Sequence, residues 1–149
     1  MRRLAFLALL LASSAATAQQ VSATWVGHYT CPQGNTAVNL TIIEPKPGVL
    51  NAWFHFQAPP DNPFVPTGCY TMTGTYDAAS RHVRLDPGAW LHQPFGYVMV
   101  GLDGEVSPDG TTFEGQIDHP ACGDFATSRR AGPSNASPCQ DGGPLLSMR

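Results

Sequence analysis

A chain of 149 residues is one domain's worth, long enough to bury a core without metals or dense cross-linking. Charged residues make up only 13% of it, against 15 glycines and 14 prolines, which suits many short strands joined by turns rather than long solvated helices. Beyond residue 18 there are six basic residues against eleven acidic ones, with Lys46 the only lysine, so nucleic acid, which is bound through clustered Lys and Arg, is a poor partner.

Residues 1–18 read as a signal peptide. Arg2 and Arg3 open it, an apolar run from Leu4 to Ala12 follows, and Ala16 and Ala18 fit cleavage before Gln19. That run is too short to span a bilayer, and nothing later approaches the roughly 20 apolar residues that a span needs. The pattern predicts export to the periplasm or the exterior, with a barrel domain over 19–130 and a flexible Gly/Pro/Ser-rich tail over 131–149.

In chain order, period-2 alternation and β-formers predict strands at Thr24 to Cys31, Thr36 to Glu44, Val49 to Gln57, Gly68 to Tyr76, His82 to Leu85, Tyr97 to Glu105, Thr112 to Ile117 and Asp124 to Arg129. Leu50, Ala52, Phe54 and Phe56 share one face of the third, Tyr70, Met72, Gly74 and Tyr76 one face of the fourth, and Val98, Val100 and Leu102 one face of the sixth. His28, His55 and His82 alternate with apolar neighbours and are expected to face solvent. Tight turns lie at Pro45 to Gly48, Asp77 to Ser80 and Ser107 to Gly110, whereas Gln57 to Thr67 and Asp86 to Gly96 are long and Pro-rich. The fold class is therefore all-β: eight antiparallel strands in up-and-down order, closed into a disulfide-linked barrel.

An up-and-down order sorts the connections onto two ends. The three tight turns fall at one, and Pro32 to Asn35, Gln57 to Thr67, Asp86 to Gly96 and Asp118 to Gly123 gather at the other, the rim where function is expected. Four cysteines in an exported chain favour disulfides over metal or redox chemistry. Cys31 ends the first strand and Cys122 precedes the eighth, which are neighbours in a closed barrel, so these two are expected to pair, leaving Cys69 for Cys139.

The run Trp25-x-Gly27-x-Tyr29-x-Cys31-x-Gln33-Gly34, followed by Gly68-x-Tyr70-x-Met72-x-Gly74-x-Tyr76, Pro94-x-Gly96-Tyr97 and Cys122-x-x-Phe125, resembles a small secreted bacterial domain that occurs alone or beside caspase-like peptidases. That resemblance implies no particular activity. The architecture is also similar to the calycins, whose barrels set a Trp of the first strand against an Arg near the end of the last. Here that implies Trp25 against Arg129 at the tight-turn end.

No His-x-x-x-His, Cys-x-x-Cys, Gly-x-Ser-x-Gly or phosphate-loop pattern occurs, so neither a metal, a cofactor nor a catalytic residue is assigned. The candidate contacts are on the rim: Trp90, His92, Phe95, Phe64, His119 and Gln33. Trp90 and Phe95, in Pro-stiffened loops, either grip a ligand or fold inward as a plug. The expected function is a non-enzymatic binding module for a small molecule or a secreted protein. The alternatives are an inhibitor of a secreted hydrolase, an enzyme using His92, His119 and Asp118, and a passive envelope domain.

Overall fold

The computed structural model describes residues 21–130 and Cys139. The signal peptide expected over 1–18 and the tail expected over 131–149, Cys139 excepted, lie outside the described residues. Eight strands follow in order: β1 (Ala23–Cys31), β2 (Gly34–Lys46), β3 (Val49–Gln57), β4 (Gly68–Asp77), β5 (His82–His92), β6 (Gly101–Val106), β7 (Thr112–Asp118) and β8 (Asp124–Arg130). Each pairs antiparallel with the next, and β8 returns to β1 from Thr24↔Arg130 to Tyr29↔Phe125, closing the barrel.

Alternation explains what fills it. Trp25 and Tyr29 of β1, Val38, Leu40 and Ile42 of β2, Leu50, Phe54 and Phe56 of β3, and Tyr70 and Met72 of β4 are buried; from the other half come Val83 and Leu85, Leu102 and Val106, Phe113 and Ile117, and Phe125. Burying each large apolar side chain contributes about 1.5 to 3 kcal/mol, and the sum must exceed the entropy of ordering the chain. Most outward positions are polar or charged, with Ile43, Val49 and Leu91 as exposed apolar side chains on the strands. Arg84 on β5 bridges Asp103 (3.3 Å) on β6 and Asp118 (2.8 Å) on β7, and His82 Nε2 lies 2.8 Å from the same Asp103. Polar outside and apolar inside is the inverse of a membrane-spanning barrel.

At the tight-turn end Trp25 closes the interior. Its ring meets Phe113 edge-on at 5.9 Å, its Nε1–H donates to the Val21 carbonyl (3.0 Å), and the Arg129 guanidinium lies 4.5 Å from its centroid. The expected Trp–Arg stacking is thus present. Gly27 lets β1 and β8 approach so closely that any Cβ there would overlap the Ala126 carbonyl.

Both disulfides connect as expected, Cys31 to Cys122 and Cys69 to Cys139. Three expectations are corrected. His55 is buried at 1% exposure rather than solvent-facing. It does point away from the core, between Phe54 and Phe56, but its partner across the ladder is Cys69, whose disulfide brings Cys139 onto this outer face. Second, β5 runs to His92, through Pro87 and Gly88, where a loop from Asp86 to Gly96 is expected. Pro87 is tolerated because β5 pairs with β6 only over His82–Leu85; beyond that it pairs with β4 alone and is an edge. Third, the sixth strand begins at Gly101 and not at Tyr97, so Val98 does not share an inward face with Val100 and Leu102 but is 64% exposed.

Candidate functional site

Because β5 and β6 part above Leu85, the barrel wall has a gap on the loop-rich side, and residues 93–100 cross it. Tyr70 pins that crossing: its buried hydroxyl donates to the Val100 carbonyl (2.9 Å) and accepts from the Val100 N–H (3.2 Å). Behind the crossing lies a cavity of about 270 Å³. Phe56, Tyr70 and Val100 form its floor from the core side, Tyr29 and the Cys31–Cys122 disulfide one wall, and Gly96, Tyr97 and Val98 the mouth. Gln33 and His119 add the polar side chains of the rim. The site is built from the ends of β1, β3 and β4 together with three of the loop-rich connections.

The rings around it are ordered against one another. Phe56 stacks on Tyr97 (5.5 Å, 15° between planes), Phe54 stacks on Tyr70 (4.9 Å), and Tyr29 meets Phe54 edge-on (5.2 Å). Gly68 makes room for this packing, since a Cβ there would overlap the Phe56 ring.

Burial pushes the Tyr70 and Tyr29 phenols well above their ordinary value, opposed in part by the hydrogen bonds to Val100 and to Thr36 and Gln33. Both therefore line the cavity as neutral hydroxyls. A folded pKa raised above the unfolded one leaves stability intact below the unfolded value of about 10 and removes it as pH rises toward the folded value. Melting temperature is accordingly expected to fall above about pH 10. All four cysteines are bonded, so no thiolate contributes to that fall. Replacing Tyr70 with Phe should flatten the alkaline limb in a melting-temperature profile against pH; an unchanged slope would contradict the assignment.

The candidate residues divide. Gln33 and His119 line the cavity. Gln33 Nε2 donates to Tyr29 Oη (3.3 Å) and to Thr36 Oγ1 (3.1 Å), and its backbone carbonyl accepts from Asn62 Nδ2 (2.7 Å), which stitches the β3–β4 loop to the β1–β2 turn. His119 Nδ1 accepts from the Ala121 N–H (3.2 Å). Trp90 is half-buried and turned inward, edge-on to Tyr70 (5.0 Å) and Phe56 (6.4 Å), so it follows the plug geometry of the two considered. His92 ends β5 opposite Cys69, exposed on the outer face. Phe64 and Phe95 are fully exposed, at 93% and 104%. Phe95 stands at the tip of a turn closed by Tyr97 N–H to the Pro94 carbonyl (3.2 Å), with Gly96 at φ 78° and Gln93 Nε2 braced on the Tyr97 carbonyl (3.1 Å).

The alternative catalytic set is not joined by hydrogen bonds: Asp118 is held by Arg84 and His119 by Ala121, and among the described residues neither hydrogen-bonds to the other or to His92. No group of three or more His, Cys, Asp or Glu is placed to hold a metal among the described residues. Sequence reasoning counted Tyr29, Phe56 and Tyr70 only as core and missed the cavity. The available signal was the two tyrosine hydroxyls at inward positions, where Phe would serve a filled core better. No family model matches the chain, and no curated protein or solved structure shows significant similarity to it, so its function is argued from this geometry.

Proposed function

We propose that this chain is an exported, non-enzymatic binding module that takes a small ligand into the cavity at its loop-rich rim. The cavity carries this reading: at about 270 Å³ it lies just below the roughly 300 Å³ at which sites for drug-sized ligands begin, and it has the usual make-up of apolar and aromatic walls with a few polar groups. Export is supported by the two disulfides, which fit an oxidising compartment, and by the N-terminal signal-like sequence.

A thermal-shift screen of small molecules tests it, since a ligand at 100 times its Kd raises stability by about 2.7 kcal/mol. Val98→Trp is the control. Val98 is exposed at the mouth, so an indole there overhangs the cavity while stability stays within about 0.5 kcal/mol of the parent. Loss of the ligand-induced shift in this variant is the expected result; a retained shift would place binding elsewhere.

The projecting Phe95 and Phe64 favour a second reading, an inhibitor of a secreted hydrolase that inserts the rim into an apolar cleft. A Phe95→Ala variant that still inhibits as strongly as the parent would remove it.

A further inference from the structure

We infer that the ligand is a small, uncharged aromatic molecule bearing a hydroxyl group, of the phenol class; this rests on the cavity being the binding site. Three observations carry it. First, the lining contains no Asp, Glu, Lys or Arg, and the two buried phenols are neutral, so a charged ligand would give up its hydration with no counter-charge in return.

Second, the walls are rings and sulfur. Tyr29, Phe56, Tyr70 and Tyr97 border the space, already arranged in alternating stacked and edge-on pairs, as in Phe56 on Tyr97 (15°) and Tyr29 against Phe56 (85°). A further ring continues that arrangement, and the Cys31–Cys122 sulfurs are a favourable neighbour for an aromatic edge. A saturated ring of similar size offers shape alone.

Third, the two polar side chains are committed in complementary ways. The Thr36 hydroxyl lies 3.1 Å from the Gly34 carbonyl, and Gln33 Nε2 donates to Thr36 Oγ1 (3.1 Å) and Tyr29 Oη (3.3 Å); with the amide assigned this way, Oε1 has no donor among the described residues. His119 Nδ1 accepts from Ala121, so the neutral ring carries its proton on Nε2. Gln33 Oε1 is thus left as an acceptor and His119 Nε2–H as a donor, and a hydroxyl, which both donates and accepts, is the smallest group that can serve the two.

The test is calorimetric titration of the full mature protein at neutral pH with 4-methylphenol, toluene, 4-methylcyclohexanol and 4-methylbenzoate. 4-Methylphenol is expected to bind about tenfold or more tighter than each of the others. Equal affinity for toluene overturns the hydroxyl, equal affinity for 4-methylcyclohexanol the aromatic ring, and equal affinity for 4-methylbenzoate the neutrality, each leaving the cavity as the site. Val98→Trp should abolish 4-methylphenol binding; undiminished binding would overturn the cavity reading itself. If none of the four binds while another compound gives a shift that Val98→Trp removes, the phenol class falls and the cavity stands.

Discussion

Replacing Trp25 with Ala is expected to lower the unfolding free energy by about 5 kcal/mol, the upper end for truncating a buried aromatic residue. The indole is fully buried, and three neighbours depend on it: Phe113 loses an edge-on partner, the Val21 carbonyl loses its donor, and Arg129 loses the ring face over which it sits. A domain of this size has about 5 to 15 kcal/mol in total, so a sizeable fraction of the variant would be unfolded at room temperature if the parent lies at the low end. Urea unfolding followed by circular dichroism measures the loss. Trp25→Phe separates the contributions, because it keeps a ring and removes the N–H; about 1 to 2 kcal/mol is expected from that change. A cost below about 2 kcal/mol for the Ala variant would mean that the tight-turn end is held by something else.

The second large effect is removal of the Cys31–Cys122 disulfide by paired Ala substitutions. The bridge spans a sequence separation of 91, and the chain-entropy model gives about 4 to 5 kcal/mol for a loop of that length. The same bridge is a wall of the cavity and anchors the β7–β8 connection, where Cys122 N–H donates to the His119 carbonyl (3.0 Å) and Gly123 N–H to the Thr30 carbonyl (2.9 Å). Both stability and ligand affinity should therefore fall. Removing Cys69–Cys139 offers the contrast, since neither of its cysteines lines the cavity: ligand affinity should persist in the folded fraction. Equal loss of affinity from the two disulfide removals would contradict the placement of the site.

The barrel was legible in the sequence because most strands have one buried and one polar face, and a period of two is visible without any tertiary information. Strand order then followed from short turns, and the cysteine pairing from strand order. What could not be read was where pairing on one side of a strand stops. Asp86-Pro87-Gly88 carries every mark of a loop, and only the loss of the β6 partner beyond Leu85 lets these residues continue as an edge strand. From that departure follow the late start of β6, the exposure of Val98 and the cavity itself. His55 was misread for a related reason: its pattern gives the correct face, but whether an outer face stays wet depends on what is fastened over it, here at Cys69. Of the six candidate contacts, Gln33 and His119 reach the cavity because they sit on the rim at the ends of β1 and β7, while Phe64 and Phe95 project away, His92 is exposed on the outer face, and Trp90 packs behind the lining against Tyr70 and Phe56.

The short ladder between β5 and β6 also separates two properties that a closed barrel would otherwise bind together. Strands β1 to β4 are zipped along nearly their full lengths, while β5 holds β6 through His82 to Leu85 only, and the chain that fills the remaining gap is held by the Tyr70 hydroxyl at Val100 and by the stack of Tyr97 on Phe56. Local opening is cheapest where the fewest hydrogen bonds must break together. If the cavity is the binding site, the route into it that breaks the fewest strand-pairing bonds passes residues 93–100 and leaves the β1–β4 ladders standing. On the proposed reading, substitutions along residues 93–100 would change residence time first, and those at Trp25 resistance to unfolding first, with the Cys31–Cys122 bridge serving both.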